Sequence, residues 1–334
     1  MKKKRTYLEI IFTFIIFILI SSCSATKEPT TIKVVFVPFL SNAPFFIGVE
    51  EGYFEEQGFT LEFFEVERTS EAIPALEQGD VDVVGGLIST GTLNAIARGA
   101  NIKFVADKGH VTSTGCNTST LVASKAFNEA HPSKNPADLK GARISINPAS
   151  LSGFWAEIFL RRANLTLDDI DDLQTTNAAE FEMLQENSID LASTDEPWTT
   201  RNIQNGGVAW VSYGDLVPDA SYAHVWFGPT FLEQNPDLGK RFMIAYLKGV
   251  AQYNQGKTER NLEILEKHLE LDKDLLRQTC WPSVNNDGTI NPDTILMFQE
   301  WALEKGLLDS KLEINQFWDP SYIEYAAKQL NIIK

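Results

Sequence analysis

Apolar runs separated by amphipathic segments make up the chain from residue 32 to residue 212. Short apolar and β-branched runs, bounded by Gly, Pro or polar residues, predict strands at 32–37, 60–66, 81–86, 101–106, 119–124, 141–146, 189–193 and 208–212. Apolar positions at helical spacing predict helices at 44–49, 71–78, 90–98, 150–164 and 181–186. Strands that alternate with helices through short connections indicate parallel βαβ units with right-handed crossovers.

From residue 228 onward the pattern is almost wholly helical. Helices are predicted at 231–255, 259–268, 273–278, 292–306 and 320–330. Two α/β units followed by a helical region predict two lobes. Residues 32–115 are expected to begin lobe 1, residues 116–213 to form lobe 2, and residues 214–334 to return to lobe 1 and pack there. The crossovers between the lobes are expected near 108–117 and 213–222, where hinge motion would close them.

The N-terminus reads as an export signal. Basic residues from Lys2 to Arg5 precede an apolar run at 10–20, which is shorter than the roughly 20 residues that span a bilayer. The run ends in Ile-Ser-Ser-Cys at 20–23, which resembles a bacterial lipobox. That resemblance implies a signal peptide at 1–22, a lipid on Cys23, a flexible tether at 23–31 and a membrane-anchored protein outside the cytoplasm. An ordinary signal peptide or an uncleaved anchor is the alternative.

Composition adds limits on partners. Apolar residues make up 43% of the chain, which is enough for a sizeable core. The formal net charge is −16, and because residues 1–22 contribute +3, the remainder carries −19. A surface this acidic disfavours nucleic acid and anionic lipid as partners, although local dipoles in a cleft can still hold an anion.

Cysteine and histidine spacing indicates neither a metal site nor a cofactor. The four His show no metal-ligand spacing, and no CxxC or HExxH motif is present. Cys116 and Cys280 could pair in an oxidising compartment, but their separation along the chain favours two buried thiols.

Four motifs in order resemble one known family. Residues 48–59 are similar to the pattern A-x-x-x-G-Y-F-x-x-x-G-L, 75–83 to A-L-x-x-G-x-V-D-V, 139–144 to L-K-G-K-K-I, and 188–197 to G-x-V-D-A-x-x-x-x-E-P. The family is the solute-binding proteins that serve importers of thiamine pyrimidines, flavins, alkanesulfonates, taurine and nitrate. The motif residues themselves read mainly as scaffold.

This resemblance implies a type 2 periplasmic-binding-protein fold, α/β and two-lobed, with two crossovers and a helical C-terminal region. It also implies a monomer that takes up a small molecule by lobe closure and delivers it to the permease subunits of an ATP-driven (ABC) importer. No enzymatic activity is expected from it.

Ligands of open α/β sheets bind beyond the carboxyl ends of the strands, where helices begin. Hydroxyl and amide side chains there can hold a ligand or simply cap a helix, and aromatic side chains can stack on a ring or simply pack in the core. The candidate ligand-binding residues are Asn42, Phe45, Ser89, Thr90, Asp107, Ser152, Phe154, Glu196, Trp198 and Tyr222.

Glu196 is the most informative candidate. An ionised carboxylate accepts hydrogen bonds and donates none, so it suits the N–H groups of an amino-pyrimidine or a flavin and repels a sulfonate or nitrate. A salt bridge with Arg201 is the alternative role. Lys108 is the only strong cation of the predicted cleft stretches. An aromatic nitrogen heterocycle, such as a thiamine pyrimidine precursor or a riboflavin-like ring, is therefore favoured over an alkanesulfonate, taurine or nitrate.

Two readings from other classes stay open. The yeast-type pyrimidine synthases share the implied fold, but this sequence lacks their Cys-rich motif and shows no Ser-His-Asp order or nucleotide loop. A lipoprotein that senses its ligand, and does not import it, could use the same clamp.

Overall fold

The computed structural model describes residues 29–112, 114 and 118–332. The described residues form ten strands in two separate five-stranded sheets. The strands are β1 (Thr30–Phe36), β2 (Phe59–Glu65), β3 (Val83–Leu87), β4 (Lys103–His110), β5 (Ser119–Ala123), β6 (Arg143–Ser145), β7 (Asp171–Leu173), β8 (Leu191–Asp195), β9 (Val208–Ser212) and β10 (Ser221–Phe227). The predicted two-lobed α/β architecture is confirmed.

Fourteen α-helices surround the sheets in the part of the chain that is described. They are α1 (Ala43–Glu50), α2 (Tyr53–Glu56), α3 (Ile73–Gln78), α4 (Thr90–Ala97), α5 (Lys125–Ala130), α6 (Leu151–Arg161), α7 (Asn177–Gln185), α8 (Trp198–Gln204), α9 (Pro236–Tyr253), α10 (Glu259–Leu269), α11 (Lys273–Gln278), α12 (Pro292–Glu304), α13 (Ile314–Phe317) and α14 (Ser321–Gln329). Short 3-10 turns lie at Leu40–Asn42, Thr69–Ala72, Pro136–Leu139, Leu167–Asp169 and Tyr213–Asp215, and a π turn lies at Thr230–Gln234.

The sheet of lobe 1 has the strand order β2-β1-β3-β10-β4. β1 pairs in parallel with β2 and β3, whereas β10 is antiparallel to both β3 and β4. β10 is not among the predicted strands, and it departs from the parallel βαβ pattern because the chain enters it on its way back from lobe 2 and runs against its neighbours.

The sheet of lobe 2 repeats the arrangement, with the order β7-β6-β8-β5-β9. Here β5, the first strand after the chain leaves lobe 1, is antiparallel to β8 and β9. The edge strand β7 was not predicted, because its three residues Asp-Asp-Leu carry no apolar run. Each lobe therefore holds one strand that marks a passage of the chain between the lobes.

Helix ends follow local chemistry. Gly79 ends α3 in the left-handed conformation, with φ of 78°, which costs a glycine little. The single helix predicted over 231–255 divides at Asn235, and α9 begins at Pro236, where a proline suits the first helical turn.

The core of lobe 1 explains the apolar character of α1. This helix is buried from Ala43 to Gly48 between the sheet and α9. Gly249 of α9 lies against the carbonyl oxygen of Pro44, leaving no room for a Cβ atom. Phe45 packs against Phe242 and Tyr246, with ring centroids 6.1 and 5.1 Å apart. The side chain of Phe45 is therefore core and does not reach solvent.

The helical tail packs on both lobes and not on lobe 1 alone. α9 and α14 pack together with the lobe 1 sheet, as expected. In contrast, α12 packs on α6 of lobe 2, where Phe154 contacts Phe298 and Trp301. The tail therefore contacts both lobes, and α12 covers the apolar face of α6.

Cys280 is disulfide-bonded, and its partner lies outside the described residues. The preference for two buried thiols is therefore wrong at this position. Cys23 and Cys116, and with them the predicted lipidation, also lie outside the described residues. Among the described residues, no helix is long and apolar enough to cross a membrane.

Candidate functional site

A cleft of about 570 Å³ lies between the lobes. The segments that line it follow the carboxyl ends of the six parallel strands: 37–39 after β1, 65–70 after β2, 87–89 after β3, 147–152 after β6, 174–178 after β7 and 193–198 after β8. This is the position at which an α/β sheet exposes free backbone groups and loop side chains to a ligand. The cleft is therefore the candidate ligand site.

Aromatic side chains form much of the cleft wall. Trp155 and Trp198 from lobe 2 line it, together with Phe39 from lobe 1 and Tyr222 of β10. The ring of Trp198 is covered on one side by the guanidinium of Arg201, 4.8 Å from the ring centroid. Trp155 and Tyr222 are almost fully buried, at 4% and 5% exposure, so the rings that are open to stacking on a planar ligand are Phe39 and Trp198.

Asp195 places a carboxylate at the cleft floor, where β8 ends. One oxygen accepts a hydrogen bond from the Ser119 hydroxyl, and the other accepts none from the described residues. Burial raises the pKa of Asp195 to about 6, against the opposing effects of Ser119 and Lys108. The Ser119 hydrogen bond fixes the Asp195 carboxylate, and its second oxygen can accept a hydrogen bond from a ligand.

Lys108 lies behind the floor on the lobe 1 side. Its side chain is fully buried, and its ammonium donates to the Ser41 hydroxyl at 2.7 Å. Burial lowers the pKa of Lys108 to about 7, although Asp107 and Asp195 oppose that shift. The cation therefore balances Asp195 in part without lining the cleft.

A small recess continues from the cleft floor and has a volume of about 10 Å³. Phe39, Leu87, Asp195 and Tyr222 line both spaces, so the recess adjoins the cleft. Glu196 and the hydroxyl-bearing residues Ser41 and Thr118 complete its wall with Pro282. The wall is rich in hydrogen-bond acceptors.

Glu196 itself is buried and already well bonded. Its carboxylate accepts from the Thr200 backbone N–H at 3.0 Å, the Thr200 hydroxyl at 2.9 Å and the Cys280 backbone N–H at 3.0 Å. Burial raises the pKa of Glu196, and these hydrogen bonds oppose the rise. The alternative role, a salt bridge with Arg201, is not found: Arg201 covers Trp198.

The structure brings five of the ten predicted residues to the cleft or its recess. Ser89, Ser152, Trp198 and Tyr222 line the cleft, and Glu196 lines the recess. Ser89 also caps α4, because its hydroxyl oxygen accepts from the Thr92 N–H at 3.3 Å. The hydroxyl of Ser152 lies 3.0 Å from that of Ser150, so two hydroxyls stand together at the start of α6.

Thr90 joins the two lobes. Its hydroxyl donates to the Ala149 carbonyl oxygen of lobe 2 at 2.9 Å. Beside it, Ser89 and Ser150 form an isolated antiparallel backbone bridge. The structure therefore shows the lobes in contact at this edge of the cleft.

The other four predicted residues lie in the scaffold. Asn42 donates to the Val37 carbonyl oxygen at 2.7 Å, and Asp107 accepts from Gly109 N–H, Asn285 N–H and the His110 ring. Phe45 and Phe154 pack in the core, as described above. A residue that follows a strand end can thus fix a loop or fill the core, and we leave these four out of the proposed site.

The acidic residues Glu65 and Glu67 line the cleft beside Arg68. With Asp195 they give the described lining three carboxylates for one arginine. The described residues contain no group of three or more His, Cys, Asp or Glu that could hold a metal ion.

A family profile described as "NMT1-like family" matches residues 25–265. A relative from Brucella abortus strain 2308, whose name identifies it only as a binding protein, is 25% identical over 230 residues, which cover 68% of this chain and 67% of the relative.

Solved structures share the fold at low identity. The ligand-binding component of an ABC-type import system from Staphylococcus aureus, with zinc bound, is 19% identical with a TM-score of 0.73, covering 89% of this chain and 99% of that one. The nitrate-binding protein NrtA from Synechocystis PCC 6803 is 16% identical with a TM-score of 0.74, covering 92% and 90%. The aliphatic sulphonate-binding protein SsuA from Escherichia coli is 17% identical with a TM-score of 0.69, covering 88% and 93%. A desulfurization enzyme, DSZB, also aligns, at 13% identity and a TM-score of 0.65, covering 90% and 99%.

These structures share the two-lobed, type 2 periplasmic-binding-protein fold that the motifs implied. The family profile spans well over half of the sequence. The chain therefore belongs to the NMT1-like family.

Proposed function

We propose that the protein is the solute-binding component of an ABC importer and that it captures an aromatic nitrogen heterocycle, such as a thiamine pyrimidine precursor or a riboflavin-like ring. The observation that carries this proposal is the carboxylate of Asp195, which has one oxygen free of hydrogen bonds from the described residues at the floor of an aromatic-walled cleft. Stacking on Trp198 and Phe39 would supply burial, and Asp195 would accept a ring N–H.

Charge supports the same choice. An oxyanion placed on the cleft floor would face Asp195, and Lys108 can offset that repulsion only from behind Ser41. A ring that donates hydrogen bonds meets no such penalty. The cost of burying Asp195 away from water would be lowered by the ligand that pairs with it.

A second candidate ligand class is an alkanesulfonate, taurine or nitrate. The hydroxyls of Ser150 and Ser152 at the start of α6, with Arg68 nearby in the lining, are groups that can hold an anion. The structural neighbours named for nitrate and sulphonate use the same fold. For this class the binding position would lie at the α6 end of the cleft, away from Asp195.

In the proposed setting the chain is a monomer on the extracytoplasmic face of the cell membrane, anchored through Cys23, with permease subunits as partners. We propose no catalytic role, because no nucleophile paired with a base lines the cleft within the described residues. A sensing role would use the same cleft, and encoding beside a signalling protein instead of a permease would favour it.

Thermal unfolding of the full chain in mild detergent, followed by tryptophan fluorescence, tests the ligand class. Probes are riboflavin, 4-amino-5-hydroxymethyl-2-methylpyrimidine, taurine, butanesulfonate and nitrate. A ligand at 100 times its Kd stabilises the native state by about 2.7 kcal/mol, which raises the midpoint measurably. We expect a shift with a ring compound that is lost in Trp198→Ala and Asp195→Asn and retained in Arg98→Gln, which lies outside the cleft lining. Shifts with taurine, butanesulfonate or nitrate alone would refute the heterocycle proposal.

A further inference from the structure

We propose that the recess behind the cleft floor receives the amino group of the ring, so that the solute is an amino-substituted heterocycle. This inference rests on the proposed function and narrows it. The recess would select for a nitrogen that carries hydrogen-bond donors and against a carbonyl or a methyl group at the same place on the ring.

The recess is small enough to distinguish ligand groups by their size. A volume of about 10 Å³ accommodates roughly one water-sized group. A terminal nitrogen fits this space, whereas a sulfonate or nitrate group, with three oxygens around a centre, does not. The shared lining residues Phe39 and Tyr222 place the opening of the recess beside aromatic surface, where the ring itself would lie.

The side chains that line the recess are suited to a hydrogen-bond donor. Two carboxylates border the recess: Asp195 is bonded to a protein donor through one oxygen only, whereas both oxygens of Glu196 already accept from protein donors. The Tyr222 hydroxyl has only a long contact of 3.5 Å to the Thr118 hydroxyl among the described residues, and both of these side chains are more than nine-tenths buried. The wall thus has buried polar groups that an N–H donor would satisfy.

The charged side chains around the recess also favour a hydrogen-bond donor. Lys108 does not line the recess, because its ammonium is turned toward Ser41. Among the described residues, the side chains that line it carry two acidic groups and no basic one. A neutral amino group or an ammonium is therefore favoured there, and a carbonyl oxygen would face Asp195 with lone pair against lone pair.

The wall also combines both lobes. Ser41, Phe39 and Leu87 come from lobe 1, Asp195 and Glu196 from lobe 2, and Tyr222 from the returning strand β10. The recess is complete only when the lobes are together. An amino group held there would contact both lobes and would stabilise the closed form.

Three matched rings test the proposal by calorimetric titration of the full chain: 4-amino-2,5-dimethylpyrimidine, its 4-oxo counterpart and 2,4,5-trimethylpyrimidine. The trimethyl ring differs from the amino ring only at position 4, and the 4-oxo ring differs there and by a proton on a ring nitrogen. We expect the amino ring to bind at least about 10-fold more tightly than either of the others, the size of one charge-assisted hydrogen bond. In Asp195→Asn that preference should fall below about 3-fold. In Glu67→Gln, which removes a carboxylate that lines the cleft but not the recess, it should persist.

The outcomes separate this inference from the proposed function. Equal affinity for the three rings, or binding of riboflavin but of none of them, would overturn the amino-group recess and leave the heterocycle proposal standing. Retention of the full preference in Asp195→Asn, with a folded variant by circular dichroism, would also overturn it. Binding of taurine, butanesulfonate or nitrate in place of every ring would overturn both.

Discussion

Asp195 combines a ligand-facing position with an unfavourable burial, and both should appear in the pH dependence of binding. Its pKa of about 6 means that the acceptor is ionised at neutral pH and protonated in mild acid. Lys108 lowers the pKa of Asp195 by its charge, and the buried carboxyls of Glu180 and Glu196 also lie close enough to interact with Asp195. The cleft is thus poised so that its acceptor is lost between neutral pH and about pH 5.

We predict that the affinity ratio of wild type to Asp195→Asn for 4-amino-2,5-dimethylpyrimidine falls as the pH is lowered from 7.5 to 5. The ratio cancels the titration of the ring, which is common to both proteins. Calorimetry at three pH values measures it, and a ratio that stays constant over this range would show that Asp195 does not accept from the ligand.

Asp195 should also affect the stability of the ligand-free protein, which we expect to fall as the pH rises, whereas ligand affinity rises. A folded-state pKa raised from 3.8 to about 6 gives a contribution that is present below about pH 4 and is lost as the pH rises to about 6. The free energy of unfolding is therefore lowered at neutral pH, where the Asp195 carboxylate is ionised and can accept a hydrogen bond from a ligand. A buried acceptor that lowers stability is typical of a binding site.

Among elements, the contact between α6 and α12 is notable because it ties the helical tail to lobe 2. Glu157 of α6 is fully buried and forms ion pairs with Arg161 at 2.6 Å and Lys305 at 2.6 Å. Although burial opposes the effect, these two partners lower the pKa of Glu157, so its contribution to stability is present above about pH 4.5 and lost in acid.

We predict that Glu157→Gln lowers the free energy of unfolding by about 1–3 kcal/mol at pH 7, because Lys305 and Arg161 lose a buried charged partner. Urea unfolding measures the change. Asp309→Asn is the matched control, since Asp309 also joins the tail to a lobe, but in a pair whose side chains are 55% and 70% exposed. It should cost less than about 1 kcal/mol. Equal costs for the two variants would contradict the role given to Glu157.

Element positions could largely be read from the sequence, whereas strand direction could not. The limits of β9 and α11 were predicted to the residue, because polar or glycine breaks flank both segments. Nothing in the periodicity of β5 or β10 indicates that these strands run against their neighbours. Their direction depends on where the chain crosses between lobes, which is a property of the tertiary structure.

The candidate site was only half predictable for a similar reason. Topology placed the right loops at the cleft, but in those loops Phe45 and Phe154 point into the core while Trp155 and Trp198 line the cleft. In the sequence, an apolar side chain that follows a strand looks the same whether it packs in the core or lines the cleft. The sequence indicates Glu196 as the acceptor and not its neighbour Asp195. Only the structure shows that the carboxylate of Glu196 already accepts hydrogen bonds from Thr200.

For the whole molecule, the two lobes meet around one site and are joined by more than the two crossovers. The tail contacts both lobes, and the Thr90 to Ala149 hydrogen bond closes one edge of the cleft. We expect opening to be a hinge motion around the cleft. The recess walls come from both lobes, so ligand capture and lobe closure would be the same event.

The central claim is that the cleft binds an amino-bearing aromatic heterocycle. Calorimetric titration of the full chain with 4-amino-5-hydroxymethyl-2-methylpyrimidine, beside an identical titration with taurine, tests it most directly. We predict saturable binding of one ring per chain and no heat of binding with taurine. Saturable binding of taurine with none of the pyrimidine would contradict the claim and move the ligand to the Ser150 and Ser152 hydroxyls at the start of α6.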